Sequence, residues 1–197
     1  MSYRLVLATR NPGKVQELHA KLGDLDVEVV TVDQFENVPD VDEDQHTLAG
    51  NAKKKALAVH LATGHPTLAD DTGLEVYMLD MKPGVHSARF AGEASDDAAN
   101  RAKLLADLDG QADRAARFRT VLAFAEDGVV RLFEGRIEGR IVEAERGAGG
   151  FGYDALFQPD GHDQTFAEMD AAAKNTVSHR ARAVDKFVGF LRVQHGA

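Results

Sequence analysis

Tyr3 to Ala8 is a mostly apolar run that Asn11-Pro12-Gly13 stops, and directly beyond it Val15, Leu18 and Leu22 recur at helical spacing. A strand, a tight loop and an amphipathic helix in that order open an alternating architecture, in which helices cover the faces of a sheet. The pattern continues. Val27 to Val32 is a β-branched run suited to a second strand, and Asp40 to Asp44 is an acidic loop. An alanine-rich helix then runs from roughly Thr47 to Ala62 and carries Lys53, Lys54 and Lys55. Pro66 to Ala69 reads as a short strand that ends in Asp70-Asp71-Thr72-Gly73, and Asp96 starts a helix with Ala102, Leu105 and Leu108 on one side. Arg117 to Ala125 and Val129 to Arg140 read as antiparallel strands around an Asp127-Gly128 turn. A glycine-rich loop, Gly147 to Gly152, and a C-terminal helix from about Ser178, with Val184, Phe187, Val188 and Leu191 on one stripe, complete the chain.

The expected fold class is therefore α/β: a single domain over residues 1–197, with a mixed twisted sheet flanked by helices. Sheets of this kind place ligands at the loops beyond the strands' carboxyl ends. At 197 residues and 44% hydrophobic content the chain suffices for one substantial core. A net charge of -9 argues against partners that are polyanions, so neither nucleic acid nor a membrane surface is expected. No apolar stretch reaches the roughly 18 residues of a spanning helix. The absence of cysteine excludes disulfides and thiolate metal sites and fits a reducing compartment, so the expected location is cytoplasmic.

Five groups of residues could carry chemistry. Thr9-Arg10-Asn11-Pro12-Gly13-Lys14 lies between a strand and a helix, where free N–H groups and the helix dipole favour phosphate; the alternative is an ordinary turn with a solvated lysine. It is not a Walker A loop, because only one glycine precedes Lys14-Val15. Asp70-Asp71 places two carboxylates side by side, a repulsion that a hard cation offsets, although a capped turn or surface ion pair has the same residues. Extended backbone would turn the two side chains to opposite faces, so one would act and the other support. The loop acids Asp40, Asp42, Glu43 and Asp44 could add a metal ligand or be merely solvated. Gly150-Phe151-Gly152-Tyr153-Asp154 can present an aromatic face to a flat ligand, or simply bury its rings. Lys174-Asn175 and Ser178-His179-Arg180 gather hydrogen-bond donors where Ser178 is a natural N-cap. No histidine spacing suits zinc.

In this order and spacing the groups resemble the inosine triphosphate pyrophosphatase family, the non-canonical purine NTP pyrophosphatases. The resemblance runs from Leu7-Ala8-Thr9-Arg10-Asn11-Pro12-Gly13-Lys14 through Asn51-Ala52, Lys55-Ala56, Asp70 to Leu74 and Pro83 to Phe90. It ends with Gly149 to Asp154, Lys174-Asn175 and Ser178-His179-Arg180. It implies attack of water on the α-phosphorus of ITP, dITP or XTP, giving the monophosphate and pyrophosphate, with Mg²⁺ as cofactor, a cleft between two lobes and a homodimer. By that resemblance Asp71 is the proton acceptor and a metal ligand, and Glu43, or else Asp42, is the second ligand. Thr9, Asn11, Lys14, Lys55 and Lys174 hold the triphosphate, with Arg10, Pro12, Gly13 and Thr72 beside it. Phe151 stacks on the base, Asp154, His179 and Arg180 read its edge, and Ser87, Arg89, Gly152 and Tyr153 line the pocket.

The sequence departs from the family pattern at three places. Thr72 stands where serine is usual, Arg10 replaces a small residue, and Gly50 replaces a glutamate common before Asn51-Ala52. A nucleotide-binding module without turnover, or a pyrophosphatase acting on modified pyrimidine or ordinary triphosphates, would share the lysines and Phe151. Only a hydrolase needs Asp71.

Overall fold

The computed structural model describes residues 3–9, 12–23, 25–92 and 95–195. Its elements are β1 (Tyr3–Leu7), α1 (Pro12–Leu22), β2 (Val27–Thr31), α2 (Leu48–Thr63), β3 (Thr67–Val76), β4 (Lys82–Pro83) and α3 (Asp97–Asp107). They continue with β5 (Ala115–Glu126), β6 (Val129–Ile141), β7 (Phe157–Pro159), α4 (Ala171–Val177) and α5 (His179–His195). The strands form one mixed sheet in the order β2-β1-β3-β5-β6-β7, with β4 paired to β3. β1 is parallel to β2 and β3, whereas β4 and β7 run antiparallel to β3 and β6. This is the expected α/β class with a mixed sheet.

By its contacts the chain divides into two compact units. The first comprises Met1–Asp71, Thr120–Glu134 and Arg182–Ala197, and the second Thr72–Arg119 and Gly135–Ala181. In the first unit, β1 sends alternate side chains to opposite faces, as its pleat requires. Leu5 and Leu7 pack with Leu18 and Leu22 of α1, Phe124 of β5, and Val184, Phe187, Val188 and Leu191 of α5. Val6 packs with Val30, Val32 and Val59 of α2. Helices thus cover both faces of this part of the sheet. The predicted stripe on α5 is buried as expected. In the second unit, Leu104 of α3 and Leu108 just beyond it pack against Leu74, Phe118, Ile141, Leu156, Phe157 and Phe166.

Two local expectations are corrected. Asp70-Asp71-Thr72-Gly73 does not end a short strand but lies within β3, whose residues are buried almost throughout. β3 lies between β1 and β5 in the sheet; β1 pairs with it at Thr67 and Leu68 and β4 at Glu75 and Val76, so the strand runs on through Gly73 between these pairings. Leu105 and Leu108 pack with the core as expected, but Ala102 is exposed, and the buried residues of α3 are Asn100 and Leu104. Asn100 is drawn inward because its amide accepts from Ala91 N at 2.7 Å and donates to Ala88 O at 2.9 Å. Lys174 sits on α4, which Asp170 caps by accepting from Ala173 N at 2.7 Å.

Candidate active site

In the first unit, β3 holds Asp70 and Asp71 side by side, each 9% exposed, and its pleat sends their carboxylates to opposite faces. Asp70 Oδ2 receives Lys14 Nζ at 2.6 Å from the first turn of α1. Asp71 Oδ2 receives Asn51 Nδ2 at 3.1 Å from α2. Lys55, one turn beyond Asn51 on the same helix face, donates to the Asp70 carbonyl at 3.2 Å and to the Glu43 carboxylate. The Asn51 amide is only 1% exposed, and its oxygen accepts from Gln45 N at 2.9 Å. Asn51 therefore ties the acidic loop to Asp71.

Asp42 and Asp44 are engaged by Lys54 rather than by this cluster. Asp42 is exposed and offers its carbonyl to Lys54 Nζ at 3.0 Å. Asp44 pairs with Lys54 at 2.8 Å, and that hydrogen bond holds its carboxyl below the ordinary range. Thr9 and Lys55 line a cavity of about 240 Å³ with Asp40 and the apolar side chains of Val32, Val38, Val41 and Val59. Arg10 and Asn11 lie outside the described residues, and Pro12 and Gly13 open α1.

The carboxylates of Glu43, Asp70 and Asp71 outnumber the ammoniums of Lys14 and Lys55. Among the described residues no three or more His, Cys, Asp or Glu side chains form a metal-holding group of their own. Carboxylate oxygens are the donors that a hard cation takes together with phosphate and water, so the chemistry of these side chains fits Mg²⁺.

In the second unit, the glycine-rich loop exposes the Phe151 ring, 65% accessible, while Asp154 three residues on is 4% exposed. Asp154 Oδ2 accepts from Phe151 N at 2.9 Å and from Lys174 Nζ at 2.6 Å. A Cβ on Gly150 would lie 2.1 Å from the same carboxylate oxygen, so only glycine admits this approach. Lys174 Nζ also stands over the rings of Phe151 and Phe166, at 5.3 and 5.2 Å. Phe166 in turn contacts His179, whose ring stacks on Phe118 at 4.9 Å. Phe151, Asp154, Lys174 and His179 thus belong to one contact network. Beside His179, Arg180 Nε is buried and has no hydrogen-bond partner among the described residues.

Several expected pocket residues are engaged in support. The Ser87 hydroxyl donates to Gly84 O at 2.6 Å and accepts from Leu74 N at 2.9 Å. Tyr153 donates to Ser87 O at 2.8 Å, and burial, with the nearby Asp97 charge, pushes its phenol well up, which keeps it a donor. Arg89 ends the short Gly84–Arg89 helix half-buried, and Thr72 is half-buried on β3. Lys174, assigned to the triphosphate by the resemblance, pairs with Asp154 at 2.6 Å.

Three contributors were given no role by the sequence. Asn51 was visible as the one amide in an alanine-rich helix, four residues before Lys55. Asp97 and Arg101, which bond the Gly152 peptide at 2.7 and 3.0 Å, carried no comparable signal.

The sequence model of the Ham1 family matches residues 5–190. A dITP/XTP pyrophosphatase of Desulforamulus reducens is 51% identical over 191 residues, 95% of each chain. One of Porphyromonas gingivalis is 49% identical over 189 residues, 95% of this chain and 97% of that protein. Among solved structures, the Staphylococcus aureus Ham1 protein superposes with a TM-score of 0.92 at 34% identity, covering 97% of this chain and 99% of its own. A HAM1 protein of Coxiella burnetii gives 0.93 at 37% identity, covering 96% and 98%. With a match over nearly its whole length and relatives this similar, the chain belongs to the Ham1 family.

Proposed function

We propose that this protein hydrolyses non-canonical purine nucleoside triphosphates, dITP, ITP and XTP, to the monophosphate and pyrophosphate. The observation that carries the reading is the convergence of Lys14 and Lys55 on Asp70 beside a buried Asp71 held by Asn51. Two ammoniums next to a fixed carboxylate suit a triphosphate and an attacking water. Relatives named dITP/XTP pyrophosphatases supply the substrate class.

Asp71, with Glu43 as second ligand, would hold Mg²⁺. When bound, that ion neutralises phosphate charge and makes water more acidic. Asp71 takes the proton as the water oxygen bonds to the α-phosphorus; the bond from that phosphorus to the bridging oxygen breaks, and the electron pair leaves with pyrophosphate. Lys14 and Lys55 exchange their carboxylate partners for phosphate oxygens, with Thr9 beside them, and so offset the charge that develops.

The base stacks on Phe151, and Asp154, Lys174, His179 and Arg180 address its edge. This moves Lys174 from the phosphates to the base, in keeping with its ion pair to Asp154. Donors directed at a 6-keto oxygen accept hypoxanthine and xanthine, while the amino group of adenine would leave buried donors unpaired.

Asp71→Asn tests the mechanism. The amide keeps the shape but not the basicity, and pyrophosphate release from ITP is expected to fall roughly 10²–10⁴-fold. A variant as fast as wild type would exclude the proposed role.

We infer also a cytoplasmic homodimer. The lack of cysteine suits a reducing compartment. Tyr77, Met78 and Met81 expose apolar surface of the kind a second copy covers. Light scattering on the eluting protein tests the dimer, and a monomer mass would remove it.

A further inference from the structure

Among the described residues Phe151 is the only phenylalanine with a largely exposed ring, and it rides on a loop that glycine leaves intrinsically free. Gly150 and Gly152 both have positive φ, +73° and +58°. A chain with that freedom does not by itself set the direction of the residue between them. On one side the Phe151 peptide is held by Asp154, whose carboxylate accepts Phe151 N at 2.9 Å and whose own N–H donates to Phe151 O at 3.2 Å. On the other side the holding groups come from α3. Asp97 Oδ2 accepts Gly152 N at 2.7 Å, and Arg101 Nη1 donates to Gly152 O at 3.0 Å.

Asp97 and Arg101 are four residues apart and therefore share a helix face. Arg101 Nε lies 2.9 Å from Glu145 Oε1, so the guanidinium is held from two sides. The helix that carries them is itself fixed. Asp96 caps it by accepting from Ala98 N and Ala99 N at 2.9 and 3.1 Å, and Leu104 and Leu108 are fully buried.

We propose that Asp97 and Arg101 are positioning residues for base recognition, which clamp both polar groups of Gly152 and thereby hold the Phe151 ring in its stacking attitude. This rests on the reading of Phe151 as the stacking ring. Both residues act through the Gly152 backbone, so their loss affects nucleotide binding through the base while leaving the chemistry at Asp71 intact.

The test is steady-state kinetics with ITP, together with inhibition by inorganic tripolyphosphate, a probe that has no base. Asp97→Ala and Arg101→Met are each expected to raise KM roughly tenfold, the ratio that ~1.4 kcal/mol commands, with kcat nearly constant. Asp97→Asn, whose amide oxygen accepts the same bond, is expected to retain the wild-type KM. Inhibition by tripolyphosphate is expected to stay unchanged in all three. In a Phe151→Ala background, Asp97→Ala is expected to add nothing, because the ring it positions is gone.

The clamp is overturned if Asp97→Ala and Arg101→Met leave KM unchanged while Phe151→Ala raises it. It is equally overturned if their effects add fully to that of Phe151→Ala, or if kcat and tripolyphosphate inhibition move with KM, since those are the marks of general structural damage. A wild-type KM in Phe151→Ala itself would instead remove the stacking reading.

Discussion

Replacing Asn51 by alanine separates the support of Asp71 from Asp71 itself. The side chain is 1% exposed and makes two bonds, Nδ2 to Asp71 Oδ2 at 3.1 Å and Oδ1 from Gln45 N at 2.9 Å. A hydrogen bond to a charged group contributes about 1.5–3 kcal/mol, and a buried N–H left without a partner costs about 1–3 kcal/mol. Water entering the vacated space recovers part of both, which leaves a net loss of about 2–3 kcal/mol. For a chain of this length that corresponds to a fall of roughly 5–10 °C in Tm. Freed from its amide, the Asp71 carboxylate also loses its fixed orientation, and supporting partners of metal ligands are worth about 10–100-fold in affinity or activity. Two assays read these effects: calorimetric unfolding, and titration calorimetry of Mn²⁺ onto the protein without nucleotide. Asn51→Ala is expected to unfold earlier and to bind Mn²⁺ more weakly by that factor. A variant within about 0.5 kcal/mol of wild type, the range of inert surface changes, and with unchanged Mn²⁺ affinity would refute the role given to Asn51.

Two other expectations concern particular residues. Gly50→Ala ordinarily gains about 0.5–1 kcal/mol within a helix. Here a Cβ would stand 2.8 Å from Gln45 Cβ and 3.1 Å from Thr47 Oγ1, so the urea midpoint is expected to show no gain, and a clear increase would contradict the packing described. The tyrosines provide a pH test. Burial, ahead of Glu126, pushes Tyr3 up; burial, ahead of Asp97, does the same for Tyr153; and the bond to Glu138 raises Tyr77. The folded protein is expected to show no tyrosinate absorbance step near pH ~10, whereas the urea-unfolded chain does. Below that pH both states hold these protons; above it only the unfolded state releases them, so stability falls as pH rises.

Much of the fold was legible because β1, α1, β2 and α5 combine one period of hydrophobicity with clear stops. Asp127-Gly128 likewise announced its hairpin turn, in which both residues take positive φ, 49° and 75°. The continuation of β3 through Asp70-Asp71-Thr72-Gly73 was hidden, because it depends on strands that the chain supplies elsewhere rather than on local preference. α4 was missed for the opposite reason: its caps are local, but seven residues carry little periodic signal. In the candidate site, motif order located Asp71, Lys14, Lys55, Phe151 and Asp154. It could not show that Lys174 reaches Asp154, or that Asn51 joins Gln45 to Asp71, since both depend on how separate segments meet.

The most direct test of the proposed function is a substrate panel with product identification. The protein is incubated with Mg²⁺ and ITP, dITP, XTP, GTP, ATP or dUTP in turn, and the products are separated by anion exchange. ITP, dITP and XTP are expected to give the monophosphate and pyrophosphate, with kcat/KM at least ~10²-fold above that for ATP. Comparable turnover of ATP, or release of a diphosphate and orthophosphate, would contradict it.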